Sequence, residues 1–415
     1  MRVSRERLSV IGKLIGIYRE EKKNNTQNEY TQKRFCEGVC SPNTLKSIEA
    51  GGLSRSEDIY IELLDKLGLK YGEFPAIDTA LDELMDELYK SIEFYNIEQI
   101  KLLCEKAMRI LYKVQSYVYY SGLYHLLHEA YEYYCFDKLI SDKDTRLYKN
   151  FLNHEIYHYR ELIVILVYAK LKAECIIDVE QYRKEIDSLE LEKSILPCLK
   201  LNLLHYYLSC DRFIEMKSLL DELEHTFYYE SNFTRLLDTY NCAIALSSYA
   251  DKLHMETYIE KANTIIAKHV FPNSKVCEVH NNIAAAYHTD KQYDKALVYY
   301  EKMCSEYKVN YLTSYLYMAD CQNRLGKKVD IPKFSKEQLS KYPVEIRMMY
   351  KYFTLEDDVP FFVKQNYLMK KIAPCLKDCF MIDMFRFELN KLIKETGHYK
   401  NMYLFDSIVE KNLRN

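Results

Sequence analysis

His154-Glu155-x-x-His158, inside "NHEIYHYRE", sets two imidazoles one helical turn apart with a carboxylate between them. On one helix face that spacing can hold a zinc ion, with the glutamate as general base. Hydrolysis also needs a third ligand on a nearby element and an open coordination position. Downstream the chain returns at once to helix-pair patterning, with no further Glu- or His-bearing motif. Tyr159-Arg160-Glu161 put bulk and charge where such sites usually carry apolar helix. His125 and His128 stand three apart, a helical spacing that commonly serves packing. No Gly-rich phosphate loop and no nucleophile elbow occurs. The expectation is a chain with no metal site, no cofactor and no enzymatic activity. An H-E-x-x-H zinc protease is the remote alternative.

Thiol chemistry is equally thin. The 13 cysteines are odd in number and form no C-x-x-C pair. Cys36/Cys40 and Cys375/Cys379 lie one helical turn apart, without a second pair at zinc-finger spacing. Buried free thiols in a reducing compartment are expected.

The elements that must position any site are helices. Only 10 Gly and 8 Pro punctuate 415 residues, and helical periodicity prevails over alternation. The fold class expected is all-α. Net charge is −3, which excludes a polycation, but it is unevenly placed. Residues 1–72 hold 13 Lys and Arg against 10 Asp and Glu, a balance of +3; the remainder holds 45 against 51. A mildly basic head on an acidic body suits a head that meets phosphate. The longest apolar run, "LIVILVYA" (162–169), is too short to span a bilayer, and Lys13 breaks the apolar stretch near the N-terminus. A cytoplasmic protein with no membrane contact is expected.

In the head, Ile11, Leu14, Ile15 and Tyr18 give a first amphipathic helix. Thr31 can cap a short second helix with Phe35 facing inward. After "GVCSP", Ser41 can cap a third helix with Pro42 at its first position, Leu45 and Ile48 inward and Gly51-Gly52 as the stop. Tyr60, Leu63, Leu64 and Leu67 make a last helix before Gly68.

"TQKRFCEGVCSPNTLKSIEAG" resembles the helix-turn-helix of the lambda-repressor/Cro class, with a turn one residue shorter than in the commonest members. The resemblance implies base reading by Pro42, Asn43 and Ser47 with Lys46 beside them, and a phosphate contact from Gln32. Lys33, Thr44 and Arg55 complete the implied DNA-binding set. Asn43 suits adenine, while Lys46 and Arg55 suit guanine or phosphate.

In the body, "NNIAAAYHTDKQYDKALVYYEKM" (281–303) matches the tetratricopeptide pattern, with Ala284 and Tyr287 on one helix and Ala296, Tyr300 and Met303 on the next. The triplet Ala296/Tyr300/Met303 recurs as Met255/Ile259/Ala262 and Met216/Leu220/Leu223. The spacing predicts about seven to nine stacked helix pairs in a right-handed superhelix with a concave face. The tyrosines of "YVYYSGLYHLLHEAYEYY" (117–134) are expected to fill seams between helices.

Asn202, Asn241 and Asn282 each stand fourteen residues before a triplet, in one register on the first helix of a pair. Amides donate and accept, so a ladder of them can hold the backbone of an extended peptide. Asn281, Tyr240 and His288 are expected near the same surface, the last two lining side-chain pockets.

A helix-turn-helix head (1–72) on a tetratricopeptide-like body (73–415) resembles the Rap–Rgg–NprR–PlcR–PrgX (RRNPP) family of peptide pheromone sensors. The resemblance implies a transcription regulator that binds double-stranded promoter DNA and a short signalling peptide, dimerising through its body. A Rap-like protein that sequesters a partner, with a head that never touches DNA, is the alternative.

Overall fold

The computed structural model describes residues 3–25, 29–149, 157–173, 179–247, 252–306, 312–356 and 358–414. Among them every regular element is a helix, and the one strand-like contact is an isolated bridge between Lys70 and Tyr117. The all-α expectation holds. The chain divides into two compact units, Met1–Leu236 and Leu237–Asn415. No helix among the described residues is long and apolar enough to cross a membrane.

The first four helices are α1 (Arg5–Asn25), α2 (Gln32–Phe35), α3 (Pro42–Glu49) and α4 (Asp58–Leu67). Their inward residues are those the periodicity selects: Ile11, Leu14, Ile15, Phe35, Leu45, Ile48, Tyr60, Leu63, Leu64 and Leu67 are all buried. Ser41 caps α3 by accepting the Thr44 N–H at 3.1 Å, with Pro42 in the first turn. Thr31 differs from expectation: it occupies the cap position of α2 without a side-chain capping bond. α1 and α3 approach closely at a glycine. A Cβ on Gly12 would stand 2.4 Å from the Ile48 carbonyl oxygen, so only glycine admits this contact.

Next come α5 (Pro75–Glu93), α6 (Ile97–Tyr112) and α7 (Val118–Phe136), with α6 packed against both neighbours. α1 also packs on α7, so residues 3–72 are bonded into the first unit rather than hung from a linker. Arg7 donates to Asp78 Oδ2 at 3.0 Å and to the Tyr120 hydroxyl at 3.2 Å, with its guanidinium 4.1 Å from the centre of the Tyr119 ring. Tyr120 in turn donates to Asp78 Oδ1 at 2.8 Å, and Tyr18 bonds Ser121 Oγ at 3.0 Å. Lys70 exchanges backbone bonds with Ser116 and Val118 at 2.7 and 3.1 Å. Tyr119 and Tyr120 thus fill a seam, as expected of the tyrosine run.

The first unit continues through α8 (Asp142–Lys149), α9 (Tyr157–Ala173), α10 (Val179–Leu189), α11 (Pro197–Lys200), α12 (Leu203–Ser209) and α13 (Phe213–Tyr229). The unit boundary falls inside α14 (Phe233–Ser247). The second unit adds α15 (Lys252–Lys268), α16 (Asn273–Thr289), α17 (Tyr293–Glu306), α18 (Leu312–Arg324), α19 (Lys336–Ser340), α20 (Val344–Phe353), α21 (Phe361–Tyr367), α22 (Cys379–Thr396) and α23 (Lys400–Arg414). α17 packs on both α16 and α18. All nine triplet residues, from Met216 to Met303, are buried.

Four turns between helices share one chemistry. Tyr95, Asp211, Ser231 and Lys291 each take a positive φ, between 53° and 62°. The N–H of the residue after each then reaches back five residues: Asn96 to Ser91, Arg212 to Tyr207, Asn232 to Phe227 and Gln292 to Tyr287, at 2.8–2.9 Å. These bonds satisfy carbonyls that a helix end would leave open.

Candidate nucleic-acid and peptide interfaces

α1 packs against one face of α3 and leaves another face to solvent. Ile48 and Glu49 meet Gly12 and Gly16, whereas Pro42, Asn43, Lys46 and Ser47 are exposed and Thr44 is half-buried. The side chains of Lys33, Asn43, Lys46 and Arg55, all exposed, bond to no other protein group, while Thr44 is engaged with the capping Ser41 at 2.8 Å. The third helix therefore presents an amide, an ammonium and a hydroxyl outward from its first two turns. Asn43 stands in the first turn, the part of a helix that reaches base edges when it enters a major groove.

Gln32 is placed differently from a simple phosphate ligand. Its Nε2 donates to Glu49 Oε2 at 3.1 Å, and Glu49 receives Arg19 Nε and Nη2 at 2.5 and 2.9 Å. Arg19 also donates to the Tyr30 carbonyl at 2.9 Å. The result is a polar clasp joining α1, α2 and α3, which fixes the angle of the exposed helix. Arg19 and Glu49 carry no sequence signal of partnership beyond the Ile-Glu-x-Gly phrase that contains Glu49.

At the amide register, Asn241 on α14 and Asn282 on α16 come together. Asn282 Nδ2 donates to Asn241 Oδ1 at 2.9 Å, and Asn241 Nδ2 donates to Glu278 Oε1 at 3.1 Å. Glu278 is exposed and also pairs with half-buried Lys275 at 2.9 Å, which pairs in turn with Asp238. Asn281 is half-buried and accepts from Ser314 Oγ at 3.2 Å. Asn202 lies in the first unit and not on a long helix. It sits in the turn between α11 and α12, where its Nδ2 donates to the Leu199 carbonyl at 3.2 Å. The short helix begun by Pro197 stops there, which breaks the register that the spacing implied.

Tyr240 and His288 are each only 5% exposed. Tyr240 packs its ring near Tyr258, with Lys261 Nζ 5.6 Å from its centre. His288 bonds Asp320 Oδ2 at 2.7 Å and lies edge-on to Phe380 at 4.3 Å. Both are engaged within the core rather than held open as pockets.

His288 also has Cys321 Sγ 3.7 Å from its Nδ1, so a thiol, an imidazole and a carboxylate stand in the order of a nucleophile, its base and its orienter. Burial first, and Asp320 second, push the Cys321 thiol up to about 12, the wrong direction for a nucleophile. Arg324 holds the same Asp320 oxygen at 2.9 Å, and the group is a core polar network.

His154 and Glu155 lie outside the described residues, as does the side chain of His158, whose backbone falls in the first turn of α9. Arg160 and Glu161, expected to disturb a zinc helix, form a buried pair at 2.6 Å, with Ser194 Oγ donating to Glu161 at 2.6 Å. Among the described residues no group of three His, Cys, Asp or Glu could hold a metal ion. No family model, curated protein or solved structure matches the chain, so the function of these surfaces rests on their own geometry.

Proposed function

We propose that the chain is a peptide-responsive transcription regulator of the RRNPP type, not an enzyme. α2 and α3 form a helix-turn-helix that binds double-stranded promoter DNA, and the helix pairs of the body form a tetratricopeptide-like superhelix that binds a short signalling peptide. The protein acts as a homodimer in the cytoplasm and needs no cofactor or metal. The observation that carries this proposal is α3, one face of which offers unbonded Asn43 and Lys46 to solvent while Gly12, Gly16 and the Arg19–Glu49–Gln32 clasp hold the helix from the other side. Support for the peptide comes from the Asn241–Asn282 pair, whose outer neighbour Glu278 is exposed and exchangeable.

A second proposal, that the head never meets DNA and the body sequesters a protein partner, draws on the bonding of residues 3–72 to α5 and α7 through Arg7, Tyr18 and Lys70. Retardation of upstream DNA by the full chain decides between them, with and without the peptide of a short adjacent reading frame. Selective, peptide-dependent retardation is the expected result. Equal retardation of upstream and random DNA across a salt series favours sequestration.

A further inference from the structure

The first unit holds a cavity of about 370 Å³ between α1, α7, α8 and α9, partly open to solvent. Leu14, Ile17, Leu126 and Ile163 supply apolar walls, and Tyr18, Tyr124 and Tyr148 supply aromatic ones. Glu21 and Asp144 are its acids and His125 its imidazole; no Lys or Arg lines it among the described residues. That size and mixture suit a small ligand with an apolar body and one directed polar group.

Tyr148 gives the second observation. Its side chain is buried, and its hydroxyl has no hydrogen-bond partner. A buried hydroxyl without a partner is costly, and a ligand can satisfy it. The surrounding charge says which ligand. Burial first, then Asp144, pushes the Tyr148 hydroxyl well up, with Glu129, Tyr18 and Glu21 adding to it. Burial likewise raises Tyr18, opposed by Ser121 and assisted by Glu21. The carboxylates that act on these hydroxyls include both of those in the lining, Glu21 and Asp144. Glu21 is paired at the rim with Lys143 at 3.1 Å, but that lysine is 54% exposed. Such surface pairs contribute little and exchange readily.

We propose that this cavity binds a small organic ammonium ion with an apolar body, its charge facing Glu21 and the tyrosine rings and an N–H donated to the Tyr148 hydroxyl. Tyrosine faces and carboxylates attract cations together, and desolvation strengthens both terms. The site is independent of the DNA and peptide surfaces, so its test needs neither.

Calorimetric titration of the full chain with 2-phenylethylammonium, 2-phenylethanol and 3-phenylpropanoate compares one ring with positive, no and negative charge. The ammonium should bind saturably, the alcohol at least about fivefold more weakly, and the carboxylate not at all. Tyr148→Phe should weaken the ammonium about tenfold without lowering thermal stability, because its hydroxyl serves no internal bond. Glu21→Gln should weaken the ammonium and leave the alcohol unchanged. No saturable binding of the ammonium, or equal binding of ammonium and carboxylate, overturns the proposal. The three-ligand comparison on the unaltered chain decides it even if a variant fails to fold.

Discussion

Asn282 donates its side-chain Nδ2 to Asn241 Oδ1 at 2.9 Å, joining α16 to α14 through two amides of one register. Asn241 is 6% exposed, so its oxygen has no water to replace Asn282. The pair is at once a structural rung and the inner end of a polar chain that reaches Glu278 at the surface. A peptide amide competing here would displace Glu278 rather than Asn282, because the carboxylate is the exposed partner.

Asn241→Ala is therefore expected to cost stability as well as peptide affinity, by about 1 kcal/mol, because the donor left behind, Asn282 Nδ2, is half-buried and can turn to water. Asn282→Ala should cost more, about 1–3 kcal/mol, since it leaves the buried Asn241 oxygen without a donor. In a double-mutant cycle by denaturant unfolding the two changes should fail to add, with a coupling of about 1 kcal/mol. Additive costs would mean that the bond contributes nothing to stability.

The helices were legible because their apolar spacing is strict: Ile11, Leu14 and Ile15, or Ala296, Tyr300 and Met303, are buried where period 3.6 puts them. Several turns were not legible, because Tyr95, Asp211, Ser231 and Lys291 take the left-handed region that glycine usually marks. Asn241 and Asn282 were legible as a register, but their bond depends on the distance between helices, which spacing along the chain does not carry. Asn202 kept the spacing and lost the register when the helix broke at Leu201. Arg19 and Glu49, thirty residues apart, gave no local pattern.

Those turns make a stability prediction. A non-glycine residue in the left-handed region carries strain of about 1 kcal/mol, which glycine relieves at some cost in chain entropy. Lys291→Gly and Ser231→Gly should each raise stability by a few tenths to about 1 kcal/mol in urea unfolding. A loss in both would show that the side chains, not the backbone, govern these turns.

The clasp on α3 is testable through Arg19. Its side chain is 3% exposed and that of Glu49 11%, so Arg19→Met strands a largely buried carboxylate. The expected loss is about 3 kcal/mol, with Gln32→Ala costing under about 1 kcal/mol because Gln32 is exposed. Thermal unfolding of the full chain measures both. Equal stability of Arg19→Met and the unaltered chain would remove the clasp as the device that holds the helix.

His280, fully buried on α16 near the Tyr299 ring, provides a pH dependence. Burial, with Lys302 adding to it, lowers its imidazole from the ordinary 6.5 to about 4. Between those values the unfolded chain binds the proton and the folded chain does not, so stability is complete above 6.5 and falls as pH drops toward 4. At pH 5 the loss should be about 2 kcal/mol relative to pH 7 from this group. His280→Gln should flatten that part of the profile in urea unfolding across pH 4–7. An unchanged slope would assign the acid sensitivity to other groups.

The DNA proposal turns on two residues of different duty. Asn43 is exposed on the first turn of α3, and its amide, bonded to nothing else, can meet the N6 and N7 edge of adenine with both its donor and its acceptor. Losing such a pair should cost about 1–3 kcal/mol at one base position and relax specificity there, while affinity for random DNA stays unchanged. Lys46 lies one turn further along the same face, and an ammonium without an internal partner is suited to phosphate. Lys46→Ala should then weaken all sequences alike and reduce the slope of log affinity against log salt by about 1. Gln32 sits between the two cases, because one N–H of its Nε2 is already given to Glu49 and its second N–H, its oxygen and its backbone remain for contact. Gln32→Ala should therefore weaken binding uniformly but leave the salt slope nearly intact, since no charge is lost. Retardation of upstream and random duplexes at several salt concentrations separates these outcomes. If Asn43→Ala leaves the preference for upstream DNA untouched while Lys46→Ala also leaves the salt slope unchanged, α3 does not read DNA, and the exposed half of this helix must face something else.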